Sequence, residues 1–326
     1  MIIKLDIEKA YDTLNWSAIL AILSKMNFPS GWISWISSCR QSCSFSLIIN
    51  GSPTTWFLSS RGVRQGDPIS SYLFILVFQT LTTLLNSNLQ NNLIPGFNSN
   101  LRHNFNHLMY ADDLILITHA SRRVARNIQL CLSFYSRISG QRPNLVKSQV
   151  YFSSWFNKHV LKRICSILNL NQACFPFKYL GVLISPKRIA SQTFWPMINN
   201  VKRLTNIWAK FHLTPAAKEI AKFHLTPAAK EILINSVLVS VPVYTLSVYP
   251  IPDLILSEIS KAVRKFFWNR NGNGTGIHNV GWNILTKGKS EGGLGIRNLA
   301  MAKHSLMSKH IFKYLNNHDT VWVEIL

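Results

Sequence analysis

Three short segments hold the first six acidic residues of the chain: Asp6, Glu8 and Asp12 in LDIEKAYD, Asp67 in RQGDP, and Asp112 and Asp113 in YADD. Carboxylates are the ligands that hold Mg²⁺ in an octahedral oxygen shell while leaving positions for water and phosphate. Two such ions roughly 3.5 to 4 Å apart can activate an attacking oxygen and neutralise a leaving pyrophosphate, the requirement of phosphoryl transfer to a nucleotide. Asp6 at the end of a strand, beside Asp112 and Asp113 at the tip of a hairpin, would present those ligands on rigid elements. A lone Asp-Asp pair is ordinarily a solvated turn, so the weight rests on the three segments together.

The flanking sequence supplies elements able to place these residues. Met1–Leu5 reads as a short buried strand that delivers Asp6 at its end, and Trp16–Met26 repeats apolar residues at helical spacing behind Asn15 as a cap. Phe45–Ile49 and Thr54–Leu58 flank Asn50-Gly51-Ser52-Pro53, a hairpin signal. Asp67-Pro68 reads as an N-cap followed by proline at the first helical position, opening a long helix through about Leu85. Gln65 and Gly66 then lie in the loop before that helix. Leu108–Tyr110 and Leu114–Thr118 flank Ala111-Asp112-Asp113, predicting a tight hairpin with carboxylates at its tip. A basic amphipathic helix over Arg122–Arg137 ends at Ser139-Gly140. Beyond Tyr179 the pattern becomes helical, and the Gly-rich stretch 271–276 reads as a linker.

Composition narrows the partner. The 326 residues carry 35 Lys and Arg against 13 Asp and Glu, a formal charge of +22 that favours a polyanion, nucleic acid before an acidic membrane surface. Between Asp113 and Glu219 there is no acidic residue, while sixteen Lys and Arg occur. Five cysteines (Cys39, Cys43, Cys131, Cys165, Cys174) form no CxxC pair, which argues against a disulfide framework or a zinc site. The uncharged run Ile232–Pro252 is long enough to span a bilayer. Pro242, Pro250, Pro252 and Asn235 make it a poor membrane helix, and it is read as buried structure.

AKFHLTPAAKEI occurs twice in tandem, at 209–220 and 221–232. Twelve extra helical residues would turn everything downstream by about 120°. Thr226-Pro227 can restart a helix by itself, so the added copy can bulge out and leave the following packing intact.

The segments, in this order and spacing, resemble the palm motifs of reverse transcriptases, those of plant non-LTR (long interspersed element) retrotransposons above all. KLDIEKAYDTLNW resembles the first motif, INGSPTTWFLSSRGVRQGDPISSYLFIL the second and LMYADDLILI the third. SGQRPNLVKSQ resembles the lysine-bearing fourth, FKYLGVLIS the primer-grip hairpin, and VRKFFWN and EGGLGIRNL segments downstream of the polymerase. The resemblance implies an α+β fold: a palm of antiparallel sheet with helices (1–188), a helical thumb or connection containing the duplication (189–270) and a small C-terminal helical region (271–326). It implies RNA-directed DNA synthesis from a primer 3′-hydroxyl and a dNTP, on an RNA template with a DNA primer.

By the same resemblance, Asp6, Asp112 and Asp113 would be metal ligands and catalytic acids, holding two Mg²⁺ with Mn²⁺ as a substitute. Lys147 would donate a proton to pyrophosphate, or else contact phosphate as one more base of the strip. Tyr11, five residues after Asp6, would block a ribose 2′-hydroxyl. Gln65 and Gly66 would lie against the template and incoming base pair, although Gly66 alone could serve only to relieve the turn. Tyr179, Leu180 and Gly181 would form the primer grip. No membrane partner is expected, the oligomeric state is open, and a nuclear location follows only from what such elements must do.

The sequence departs from the family in starting five residues before Asp6, without the fingers region. Ser71 stands where proline is common, and the duplication interrupts the thumb. These departures lead to the expectation of a truncated polymerase, inactive alone, with a non-catalytic nucleic-acid-binding remnant as the alternative. A third reading, a relative of group II intron maturases acting in splicing, is the weakest, because the match to the retroelement motifs runs on through the C-terminal region.

Overall fold

Alternation in the first strand sets the layering of the whole N-terminal half. β1 (Ile2–Asp6) buries Ile3 and Leu5 completely and leaves Ile2, Lys4 and Asp6 partly exposed on its other face. The computed structural model describes residues 1–41, 44–97, 104–209, 225–269, 279–316, 320 and 322–323, and its contacts divide the chain into compact units of Met1–Cys174 and Phe175–Glu324.

In the first unit, β1 leads through a loop to α1 (Trp16–Lys25) and α2 (Ser30–Gln41). Asn15 takes the cap position of α1, but its side chain makes no capping bond. Its backbone N–H instead donates to Ser139 O at 2.7 Å, which turns the residue toward the end of a later helix. A hairpin follows, built from β2 (Ser44–Phe45), β3 (Ile48–Ile49), β4 (Ser52–Pro53) and β5 (Phe57–Leu58). Its loop is the two residues Asn50 and Gly51, at φ +52° and +85°, tighter than the four-residue turn expected.

α3 (Pro68–Gln90) starts where Asp67-Pro68 predicted, with Ile69 N–H donating to Asp67 Oδ1 at 3.2 Å, and runs five residues past the expected end. β6 (His107–Tyr110) and β7 (Asp113–Ile117) form a hairpin whose turn is Ala111 and Asp112 alone. α4 (Arg122–Ser139) is capped by Ser121 Oγ and ends at Gly140, φ +79°. A Cβ there would lie 2.6 Å from Thr13 O, so both conformation and space require glycine. β8 (Gln149–Tyr151), α5 (Lys158–Leu168) and β9 (Asn171–Ala173) complete the unit.

The five main strands form one sheet in the order β6-β7-β1-β8-β9. It is antiparallel except for the last pair, where β8 and β9 run parallel across the α5 crossover. Ile3, Leu5, Leu114 and Leu116 pack with Phe74, Val77, Leu81 and Leu85 of α3 and Val124, Ile128 and Tyr135 of α4 in one core. Buried Asn106 ties this layer down: its amide donates to Leu85 O (3.1 Å) and Ile94 O (3.0 Å).

The second unit opens with a hairpin of β10 (Phe177–Tyr179) and β11 (Val182–Ile184), turning through Leu180 and Gly181. Helices follow at Trp195–Ala209, Pro227–Leu233, Ser240–Leu246, Asp253–Trp268 and Leu299–Leu315. Ile232–Pro252 does contribute buried structure: Ile234, Leu238, Leu246 and Ile251 are fully buried in this unit's core. Pro68–Gln90 and Pro227–Leu246 are long and apolar enough to cross a membrane by length and composition, a test that core helices also pass.

Residues 210–224, with nearly all of the first tandem copy, and the Gly-rich stretch 271–276 lie outside the described residues. In the second copy, Thr226 caps a new helix by accepting from Ala229 N–H (3.2 Å), with Pro227 behind it, as expected of a self-starting helix. Lys230 of that helix is buried, and its ammonium donates to Phe267 O (3.1 Å) and Asn269 O (2.6 Å) at the end of Asp253–Trp268. It thereby satisfies carbonyls that the helix end leaves without intrahelical donors.

Two outcomes follow from this packing. Lys230→Met strips those carbonyls of a buried donor, and the expected loss is about 2 kcal/mol in urea denaturation of the whole chain. Cys131 is buried, and burial pushes its thiol up to about 11, whereas Cys39 and Cys174 are exposed. Alkylation at pH 8 should therefore label Cys39 and Cys174 in the native protein and Cys131 only after unfolding, read by peptide mass.

Candidate functional site

Antiparallel register sets Asp6, the last residue of β1, opposite Asp113, the first of β7. Cross-strand partners share a face, so the two carboxylates emerge side by side at one end of the sheet. Tyr110 is paired to Asp113 from the other side, and Ala111 takes the turn at φ +50°. Asp112 follows, exposed, at the tip. Partial burial raises the Asp113 carboxyl above the usual range; the Lys4 ammonium opposes the rise, and the charges of Asp112 and Asp6 add to it.

A second stretch of chain grips Asp6 from behind. Asp6 N–H donates to Ser148 Oγ at 3.1 Å, and Asp6 O accepts from Asn144 N–H at 2.7 Å. Asn144 Oδ1 in turn accepts from Val146 N–H (3.1 Å) and Lys147 N–H (3.2 Å), a local side-chain turn that fixes the loop. The result is Lys147 Nζ 3.7 Å from Asp6 Oδ2, with the lysine side chain 68% exposed.

The RGVRQGD loop is held against the segment that follows β1. Gly62 N–H donates to Leu14 O (2.8 Å), Val63 N–H to Tyr11 O (2.9 Å), and the Trp16 indole to Gly62 O (2.6 Å). Gln65 and Gly66 are exposed at the end of this loop, Gly66 at φ +91°, where glycine relieves the turn into α3. Gln65 lines a cavity of about 340 Å³ together with Asp12, Arg61, Arg64 and Asp67 over an apolar floor. The Tyr11 ring stacks on Phe74, centroids 5.1 Å apart, at the edge of the core.

Within the second unit, Tyr179 ends β10 and Leu180 and Gly181 form the turn. The Tyr244 hydroxyl donates to Leu180 O, and a Cβ at residue 181 would lie 3.1 Å from the Tyr244 ring. This contact holds the hairpin tip on the helix Ser240–Leu246.

The structure thus brings together Asp6, Asp113 and Lys147, with Asp112 close enough to act on Asp113 by its charge. The donor chemistry of the three carboxylates fits a hard divalent cation, and their mutual repulsion is what such an ion would relieve. Among the described residues, no three His, Cys, Asp or Glu side chains are set around one point as a finished metal cage. Sequence reasoning missed the grip of Asn144 and Ser148. For Asn144 there was a signal, an Asn followed by two residues whose N–H groups it can accept; for Ser148 there was none.

The family model for reverse transcriptase (RNA-dependent DNA polymerase) matches residues 1–184. The Pol polyprotein of a type-1 retrotransposable element R2 from Popillia japonica is 25% identical over 210 residues, covering 62% of this chain and 34% of the relative. The transposon TX1 149 kDa protein of Xenopus laevis is 24% identical over 316 residues, 96% of this chain and 22% of the relative. An uncharacterised mitochondrial protein of Arabidopsis thaliana is 37% identical over 116 residues, 34% of this chain and 92% of that protein. The chain spans about a third and about a fifth of the two retroelement proteins. With its carboxylates gathered at one sheet end and this match over more than half its length, the chain belongs to the reverse transcriptase family, on the side of the non-LTR retrotransposable elements.

Proposed function

We propose that this chain carries the nucleotidyl-transfer centre of a non-LTR retroelement polymerase, joining a dNTP to a primer 3′-hydroxyl on an RNA template. The observation that carries the reading is the register of Asp6 against Asp113 beside the hairpin tip at Asp112, with Lys147 3.7 Å from Asp6. Residues 1–188, the hairpin of β10 and β11 included, are read as the polymerase palm, 189–270 as the thumb and 271–326 as a small C-terminal helical region. The Arabidopsis relative supports a plant lineage.

Asp6, Asp112 and Asp113 would hold Mg²⁺, or Mn²⁺ in its place. When bound, a pair of such ions supplies charge neutralisation at the attacking and leaving oxygens. The chain's own residues do the positioning, which with electrostatics is nearly all that phosphoryl transfer asks of a protein. Asn144 and Ser148 hold the backbone of Asp6. Lys147 stands within reach of the same carboxylate on an exposed stem, placed to meet a leaving phosphate and give it a proton. Gln65 and Gly66 present an exposed loop to a template and incoming base pair. Tyr11, braced by Phe74, offers a rigid ring edge to the sugar, and Tyr179, Leu180 and Gly181 would support the primer.

Asp112→Asn is expected to lower Mg²⁺-dependent dNTP incorporation on a primed RNA template by on the order of a thousandfold, the loss of several kcal/mol of charge stabilisation. RNA affinity measured without metal should stay within about twofold, because one exposed charge among many changes little. Incorporation that survives the substitution sinks the assignment; binding without incorporation in the unaltered chain favours a remnant that only binds nucleic acid. Tyr11→Ala should raise the use of rNTP relative to dNTP, compared as kcat/KM, if the ring excludes the 2′-hydroxyl. An unchanged ratio would leave Tyr11 as a core aromatic.

A further inference from the structure

Charge in the first unit is sorted along the length of the sheet. Asp6 and Asp113 pair at one end of β1, and Ile2 at the other end pairs with Ile117 of β7 and Tyr151 of β8. Four residue steps of strand separate the two ends, about 13 Å. Both β7 and β8 run antiparallel to β1, so the chain leaves each of them at the Ile2 end, and α4 and α5 begin there. Both helices then run back toward the carboxylates: Gly140 after α4 lies against Thr13 O, and Ile128 and Leu132 of α4 share a cavity wall with Leu168 at the end of α5. Their N-termini therefore lie at the same end of the sheet, away from Asp6.

Those starts are unusually basic. Arg122, Arg123 and Arg126 stand in the opening turns of α4, and Lys158, Lys162 and Arg163 in those of α5, all exposed. Neither helix has an acid in its first turn, and the caps are the neutral Ser121 and Asn157. Cations at a helix N-terminus oppose the macrodipole, so folding gains nothing from this placement. No acid occurs between Asp113 and Glu219 to answer the charge, and among the described residues none of the six makes an ion pair. Trp155, 82% exposed, precedes the α5 cap by two residues. An exposed indole beside cations offers a face on which a base can stack.

We propose that this end of the sheet is a second nucleic-acid contact, where the six side chains take the phosphodiester backbone of a strand and Trp155 stacks on one of its bases. It is separate from the nucleotidyl-transfer centre and needs neither nucleotide nor metal. Charge complementarity selects the partner, since guanidinium groups bind phosphate in pairs of hydrogen bonds. The contact would hold template or product on the far side of the palm while chemistry proceeds at the other end.

The test is binding of a labelled 20-nucleotide RNA and the matching DNA strand to the full chain, in EDTA without nucleotides, across a salt series. The variant is Arg122→Glu/Arg123→Glu/Lys158→Glu, against a control of equal charge change at exposed sites elsewhere, Lys25→Glu/Lys287→Glu/Lys309→Glu. Each substitution in the variant puts an acid into the first turn of a helix, so its melting temperature should hold or rise.

At 0.15 M salt the variant is expected to bind RNA on the order of tenfold more weakly than the control. Its log–log salt slope should fall by about two, since each single-strand phosphate contact contributes about 0.7. Trp155→Ala should cost about fivefold or more with the slope unchanged. Equal losses in variant and control reduce the patch to bulk charge and overturn the proposal. So does binding to vesicles rich in phosphatidylserine that falls with the variant while RNA binding does not. A stronger effect on DNA than on RNA keeps the site and identifies the strand as product. None of these readouts depends on incorporation, so a failed polymerase assay and a failed second contact are told apart.

Discussion

Two carboxylates held on neighbouring strands repel each other, and the rest of the first unit is arranged around keeping Asp6 and Asp113 in that position. Register is enforced from the opposite face, where Ile3 and Leu5 of β1 meet Leu114 and Leu116 of β7 in the core. A slip of β1 by one residue would turn Ile3 and Leu5 outward and Asp6 inward. Lys4 and Lys147 offset part of the repulsion, while Asn144 and Ser148 hold the Asp6 backbone. Hydrophobic burial on one side of the sheet is thus what sustains an electrostatically unfavourable arrangement on the other.

The same division of labour runs through the helices. α4 carries arginines where its dipole disfavours them, and its stability rests on Val124, Ile128, Cys131 and Tyr135 in the core. Buried Gln141 helps to anchor its far end, accepting from the Tyr135 hydroxyl and donating to Ala10 O at 2.7 Å. Packing pays for charge placement at both ends of the sheet.

Much of this was legible in the residues. Short apolar runs ending at acids gave β1 and the hairpin of β6 and β7, Asp67-Pro68 the start of α3, and Thr226-Pro227 the helix restart within the second copy of the duplication. Element ends were less legible, because they depend on distant partners. Asn15 has the right type for a cap, yet the backbone of Ser139 draws it away. The hairpin tip was read one residue too wide, since Asp113 looks like turn chemistry until its pairing with both Tyr110 and Asp6 is known. The parallel pairing of β9 rests on a crossover that no local pattern reveals. The grip on Asp6 joins residues more than a hundred positions apart, and only Asn144 bears a local trace of it.

The self-starting helix at Thr226 bears on how such a chain can change over generations. Unequal exchange between the two identical copies at 209–220 and 221–232 removes or adds twelve residues at a stroke. Either product restores the same cap, the same proline and the same lysine for the end of Asp253–Trp268. Length in that stretch can therefore change in steps of a repeat, while a single codon gained or lost within β1 or β7 disturbs the register that sets Asp6 opposite Asp113.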